Sequence, residues 1–137
     1  MTCSNVLGSH KLKLVVIVNR KKTRSFKGTR AENLPVHCFN QKKGWMDQQI
    51  FKEWFEKKCI PEVKEHLRSK NLPRKTILLI GNAPSQPGEN VLRSESGNFI
   101  VKFLPPNVTS LIQPMDQGVI ASMKKNFRTN LLKKWGA

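Results

Sequence analysis

Phe103–Ile120 reads FLPPNVTSLIQPMDQGVI, and the elements on either side of it are organised around this stretch. Its first residues close a strand predicted over Phe99–Leu104, because Pro105 and Pro106 lack the N–H groups that a ladder needs. Its last residues open a helix that starts near Pro114 to Asp116. Beyond that start, Ile120, Met123, Phe127, Leu131 and Trp135 recur every three or four residues as one apolar stripe. A stripe of this kind predicts core packing rather than a cofactor or partner groove.

Working back from this stretch, Thr76–Ile80 (TILLI) predicts a short buried strand, followed by a turn at Gly81-Asn82-Ala83-Pro84. Before it, Asp47 is a candidate N-cap for a helix whose apolar face carries Ile50, Phe51, Trp54, Phe55, Ile60, Val63 and Leu67. Pro61 is expected to kink or split that helix, and Leu72-Pro73 ends it. Nearest the N-terminus, Lys11–Val18 (KLKLVVIV) reads as a strand buried on both faces. A basic loop over Arg20–Asn33 follows, then a short extended piece, Leu34–Phe39, broken by Pro35. The order strand, helix, strand, strand, helix predicts an α/β layer in which helices cover a central sheet. No repeat, low-complexity tract or linker divides residues 1–137, so one domain is expected.

The charge is lopsided: 25 Lys+Arg against 9 Asp+Glu give a formal net charge of +16. A polyanion is the natural partner, because binding releases the counterions condensed on phosphates. DNA or RNA comes first and an anionic membrane second. No run of about 18 apolar residues exists and the N-terminus does not read as a signal peptide, so neither membrane insertion nor secretion is expected, and the protein is placed inside the cell. Hydrophobic residues make up 38% of the chain, well above the composition that keeps chains disordered.

No acid precedes Glu32, while Lys11, Lys13, Arg20, Lys21, Lys22, Arg24, Lys27 and Arg30 crowd the same stretch. No acid follows Asp116, where Lys124, Lys125, Arg128, Lys133 and Lys134 accumulate. In the middle, Asp47, Glu53, Glu56, Glu62 and Glu65 interleave with lysines as helix-face pairs such as Glu53 with Lys57. Lysines and arginines in the two basic stretches suit phosphates rather than base edges, so sequence-independent, salt-sensitive binding is expected. Cys3, Cys38 and Cys59 are odd in number and widely spaced, which suggests free thiols rather than a disulfide framework or a zinc site. His10, His37 and His66 are scattered and read as ordinary surface or partly buried residues.

Four segments, in order, resemble the DDE nuclease domain of pogo/Tigger transposases and their domesticated relatives, which include the jerky proteins and centromere protein B. They are Gly8-Ser9-His10-Lys11-Leu12-Lys13, Gly44-Trp45-Met46, the turn from Gly81 to Pro84 running on through Ser85-Gln86-Pro87, and the Phe103–Ile120 string. The resemblance covers about Thr2 to Trp135. It implies an RNase H-like fold, a mixed five-stranded sheet flanked by helices, and metal-assisted phosphodiester chemistry with three acids holding two Mg²⁺-type ions. Two ions need several carboxylates to neutralise and position them.

By that resemblance the third acid falls on Asp116, and the second falls on Gly81, immediately before Asn82. With 34 residues between positions 81 and 116, the spacing is typical of mariner-like relatives, so the acid is replaced rather than displaced. The first acid lies upstream, since the chain opens inside what would be the second strand, and the first, central strand is therefore expected to be lacking. Gln86 stands where the family usually has His. Asp116 also has a reading without metal, as an acid at a helix N-terminus, and Gly81 is a common residue in a turn after a strand. The implied function is a catalytically inactive DNA-binding domain in the nucleus that holds no metal and binds phosphates without sequence specificity, with a protein partner completing the sheet. The alternatives are a protein-interaction module or a translated transposon remnant, and an active metal-dependent endonuclease.

Overall fold

In the computed structural model, residues 1–19, 33–81, 88, 92, 97–107 and 112–135 are described. The first strand, β1 (Leu14–Val18), is built from LVVIV, whose β-branched side chains suit a pleated, covered surface. One flank pairs in parallel with β2 (Val36–Asn40), from Leu14 opposite Val36 to Val18 opposite Asn40. β2 starts directly after Pro35, the residue that cannot donate to a ladder. The other flank meets the N-terminal residues: the Val15 N–H donates to the Met1 carbonyl at 3.0 Å and the Leu12 N–H to the Cys3 carbonyl at 3.0 Å. Ser4 and Lys11 form an antiparallel bridge there. The reversal between them is a turn over Asn5–His10, in which Gly8 takes φ +66.

Asp47 caps α1 (Gln48–Trp54), its carboxylate accepting the Ile50 N–H at 2.8 Å. The helix does not break at Pro61. It widens to π spacing over Phe55–Cys59, where the Ile60 N–H reaches back to the Phe55 carbonyl, and resumes as α2 (Ile60–Ser69). A proline ring crowds the carbonyl one turn before it and offers no N–H to it. The wide turn lies directly upstream, where that mismatch falls, so a π segment divides α1 from α2 just before the proline. At the C-terminal end Asn71, with φ 53, carries the left-handed residue of a Schellman motif, with the Leu72 N–H bonded to the Leu67 carbonyl at 2.9 Å and the Asn71 N–H to the Arg68 carbonyl at 3.2 Å.

β3 (Thr76–Ile80) and β4 (Phe99–Phe103) form a second parallel pair, with Thr76 opposite Phe99 and Ile80 opposite Phe103. Among the described residues the strands therefore make two two-stranded sheets rather than one mixed sheet of five, because the ladders run only within each pair. What joins them is the helix. Phe51, Trp54, Phe55 and Cys59 pack with Leu12 and Val15 from the first sheet and with Phe99 and Val101 from the second, in one core. Phe51 and Trp54 meet edge to face, 5.4 Å between centroids. The architecture is α/β.

Two burial expectations are corrected. TILLI is not buried on both faces: Ile77 is 62% and Leu79 54% exposed, while β4 turns Phe99 and Val101 inward. The last helix, α3 (Val119–Trp135), does not put the described part of its stripe into the core: Phe127 is 64% and Leu131 40% exposed, and Ile120 alone among the stripe's described side chains is half-buried. Periodicity reports that a helix has an apolar face, whereas burial requires a neighbour, and among the described residues α3 packs chiefly on the short turn that precedes it.

Candidate functional site

Asp116 ends a 3-10 turn, Pro114–Asp116, that precedes α3. Its N–H donates to the Gln113 carbonyl at 3.0 Å, and its carbonyl accepts from Gly118 at 2.9 Å. Gly118 takes φ +89, a conformation glycine adopts without penalty, and this lets the chain turn from the 3-10 segment into the helix. Asp116 is exposed and lies outside the first turn of α3, which carries no acid. The reading of Asp116 as an acid on the helix N-terminus is therefore corrected: the helix starts three residues later than the carboxylate.

Gly81 directly follows β3. The side-chain amide of Gln113 lies against its Cα, in the space that a Cβ at position 81 would fill. Because Gln113 leads into the Pro114–Asp116 turn, the fold brings position 81 and the Asp116 turn into one neighbourhood. Any side chain at 81 would have to displace the flexible end of Gln113. Asn82 lies outside the described residues.

Of the predicted phosphate-binding residues, Lys11 and Lys13 are exposed and flank the buried Leu12, as strand alternation requires. Arg20, Lys21, Lys22, Arg24, Lys27 and Arg30 lie outside the described residues. Lys124 and Lys125 are exposed on α3 with Arg128 one turn on, about 6 Å further along the axis at 1.5 Å per residue. With Thr129 and Leu132 they line an open, shallow recess on one face of that helix. α3 contains no acid, and Lys124 and Lys125 have no ion-pair partner among the described residues. The middle segment differs, as expected, with Lys57 reaching Glu53 at 3.1 Å and Lys52 reaching Glu56 at 3.9 Å.

The three cysteines are free thiols, and burial pushes the Cys59 thiol up to about 12. The three histidines are not scattered in space. His10 stacks on His66, and His37 bonds Glu62 at 2.6 Å. Sequence spacing carries no signal for this, because the four residues come from a turn, a strand and a helix. Among the described residues no group of three or more His, Cys, Asp or Glu side chains is arranged to hold a metal ion, and no helix is long and apolar enough to cross a membrane.

The chain is 39% identical over 129 residues to the human Jerky protein homolog, covering 93% of this chain and 22% of that protein. It is 36% identical over 136 residues to human Tigger transposable element-derived protein 7, covering 96% and 25% respectively. The mouse Jerky protein is 36% identical over 129 residues, covering 93% and 22%. The chain thus spans about a quarter of the length of these relatives. No solved structure matches it significantly. It also matches the family described as DDE superfamily endonuclease over residues 1–136. A match running along nearly every residue, with jerky and Tigger-type proteins as relatives, means that the chain belongs to the DDE superfamily endonuclease family.

Proposed function

We propose that this chain is a transposase-derived, catalytically inactive domain that binds the DNA phosphate backbone in the nucleus. The observation that carries the reading is the acid-free face of α3, on which Lys124, Lys125 and Arg128 stand together. Lys11 and Lys13 add a second exposed pair, and a net charge of +16 draws the whole molecule toward a polyanion. The name of the Tigger relative describes descent from a transposable element, which accords with a DNA partner.

Inactivity rests on the chemistry of the donor set. A pair of divalent ions needs several carboxylates. Position 81, where the family's second acid falls, offers no side-chain oxygen, and Asp116, on an exposed turn, belongs to no group of three or more His, Cys, Asp or Glu side chains placed to hold a metal ion among the described residues. The residues present do not fit two ions, so no cleavage step is assigned. The two parallel strand pairs that share one core with the helix accord with part of an RNase H-like sheet.

A titration of duplex DNA across a salt series tests the reading. If about four lysines contact phosphates, log K should fall against log salt with a slope of roughly −0.9 for each contact. Binding that is absent at low salt, or insensitive to salt, refutes it.

A second reading, an interaction module, is favoured by the exposed Ile77, Leu79 and Ile100 on one sheet and by Phe127 and Leu132 on α3. Co-purification of one defined protein partner in the absence of DNA would support it.

A further inference from the structure

Residues 10, 37 and 66 are all the histidines the sequence contains, and the fold brings them together around one carboxylate. His10 closes the Asn5–His10 turn: its N–H donates to Asn5 Oδ1 at 3.0 Å and its carbonyl accepts the Asn5 N–H at 2.9 Å. Its ring lies flat on that of His66 from α2, with centroids 3.9 Å apart and planes 3° from parallel. One helical turn before His66, Glu62 bonds His37 Nε2 of β2 at 2.6 Å with one oxygen. Its other oxygen accepts the Lys13 N–H at 3.5 Å. Three separate segments therefore converge on α2, the turn and β2 through imidazoles and Lys13 through its backbone N–H.

We infer that the His10–His66 stack, with Glu62 and His37 beside it, is a proton-sensitive latch that fastens the Asn5–His10 turn to α2 at neutral pH and releases it in mild acid. Parallel rings at this separation tolerate two neutral imidazoles and resist two imidazolium ions, whose charges would lie a few ångströms apart. Glu62 is the carboxylate near the stack, and it is already engaged by His37 and the Lys13 amide. The Cys59 thiol of the π segment lies near this carboxylate and the Cys3 thiol lies near Cys59, and neither adds positive charge. Burial first and His66 second hold His10 below the ordinary imidazole range, with Glu62 opposing. The unfolded or released form thus takes up the proton first. The latch is at full strength above the free-imidazole value of about 6.5 and weakens as pH falls below it.

Amide hydrogen exchange on the whole chain, corrected for intrinsic rates, tests this at pH 7.5 and 5.5. The Gly8 and His10 amides, which both donate to Asn5, should lose protection in acid by several-fold, with a ceiling of about tenfold because pH 5.5 lies one unit below the free-imidazole value of about 6.5. The His66→Phe variant keeps a stacked ring without a second charge, so its pH dependence should shrink to the part that burial of His10 supplies. Equal protection at both pH values, or a His66→Phe variant that behaves like its parent, overturns the latch. Should that variant fail to fold, His10→Phe asks the same question from the turn. The imidazole titration of the unsubstituted chain also decides: His10 titrating at or above about 6.5 refutes the inference.

Discussion

Replacing Phe51 with Ala should unfold both sheets together. Phe51 is 1% exposed, meets Trp54 edge to face, and lies in the cluster that also contains Leu12 and Val15 from one sheet and Phe99 and Val101 from the other. Truncating a buried Phe to Ala costs about 3–5 kcal/mol, as lost transfer free energy plus the cavity left behind. A domain of this size has a total stability of about 5–15 kcal/mol, so the loss takes up much of it. With a urea m-value of about 1.5–2 kcal/mol/M, the midpoint should fall by roughly 2 M. Urea unfolding followed by circular dichroism and by tryptophan fluorescence is the assay, with Ile100→Ala as a comparison. Ile100 is 46% exposed on the outer face of β4, so its truncation should cost below about 1 kcal/mol. A Phe51→Ala loss below about 1 kcal/mol, or two separate transitions for the two probes, would refute the argument that one helix couples both strand pairs.

Other consequences are narrower. Asp47→Ala removes the N-cap of α1 and should cost about 1 kcal/mol in the same unfolding experiment. Lys124→Ala combined with Lys125→Ala touches no ion pair among the described residues, so Tm should stay within a degree or two, while the slope of log K against log salt falls by about 2. Cys59, buried and with its thiol pushed up to about 12, should resist a maleimide at pH 8 in the folded chain and react once urea unfolds it.

Much of this was legible where the physics is local. The Asp47 cap, the Glu53–Lys57 pair and the strand at TILLI follow from neighbours within a few residues, and each forms where expected. The response to Pro61 was less legible. Its ring conflict is local, but the form of the response, a π turn, accompanies the burial of Phe51, Trp54, Phe55 and Cys59 in one core that no local spacing describes. The exposure of Phe127 was not legible, since a period of three and four describes a helix and not what lies opposite it. At the candidate site, the exposure of Lys124 and Lys125 followed from composition. The packing of Gln113 on Gly81, and the meeting of His10 with His66, depend on chain reversals that no spacing encodes.

On the reading proposed above, this chain holds DNA without cutting it. Supercoiled plasmid incubated with purified protein in low salt and Mn²⁺, and resolved on one gel, tests it most directly. The expected result is a retarded plasmid that is recovered fully supercoiled after the protein is removed. Nicked or linear product that disappears in an Asp116→Ala variant would contradict it.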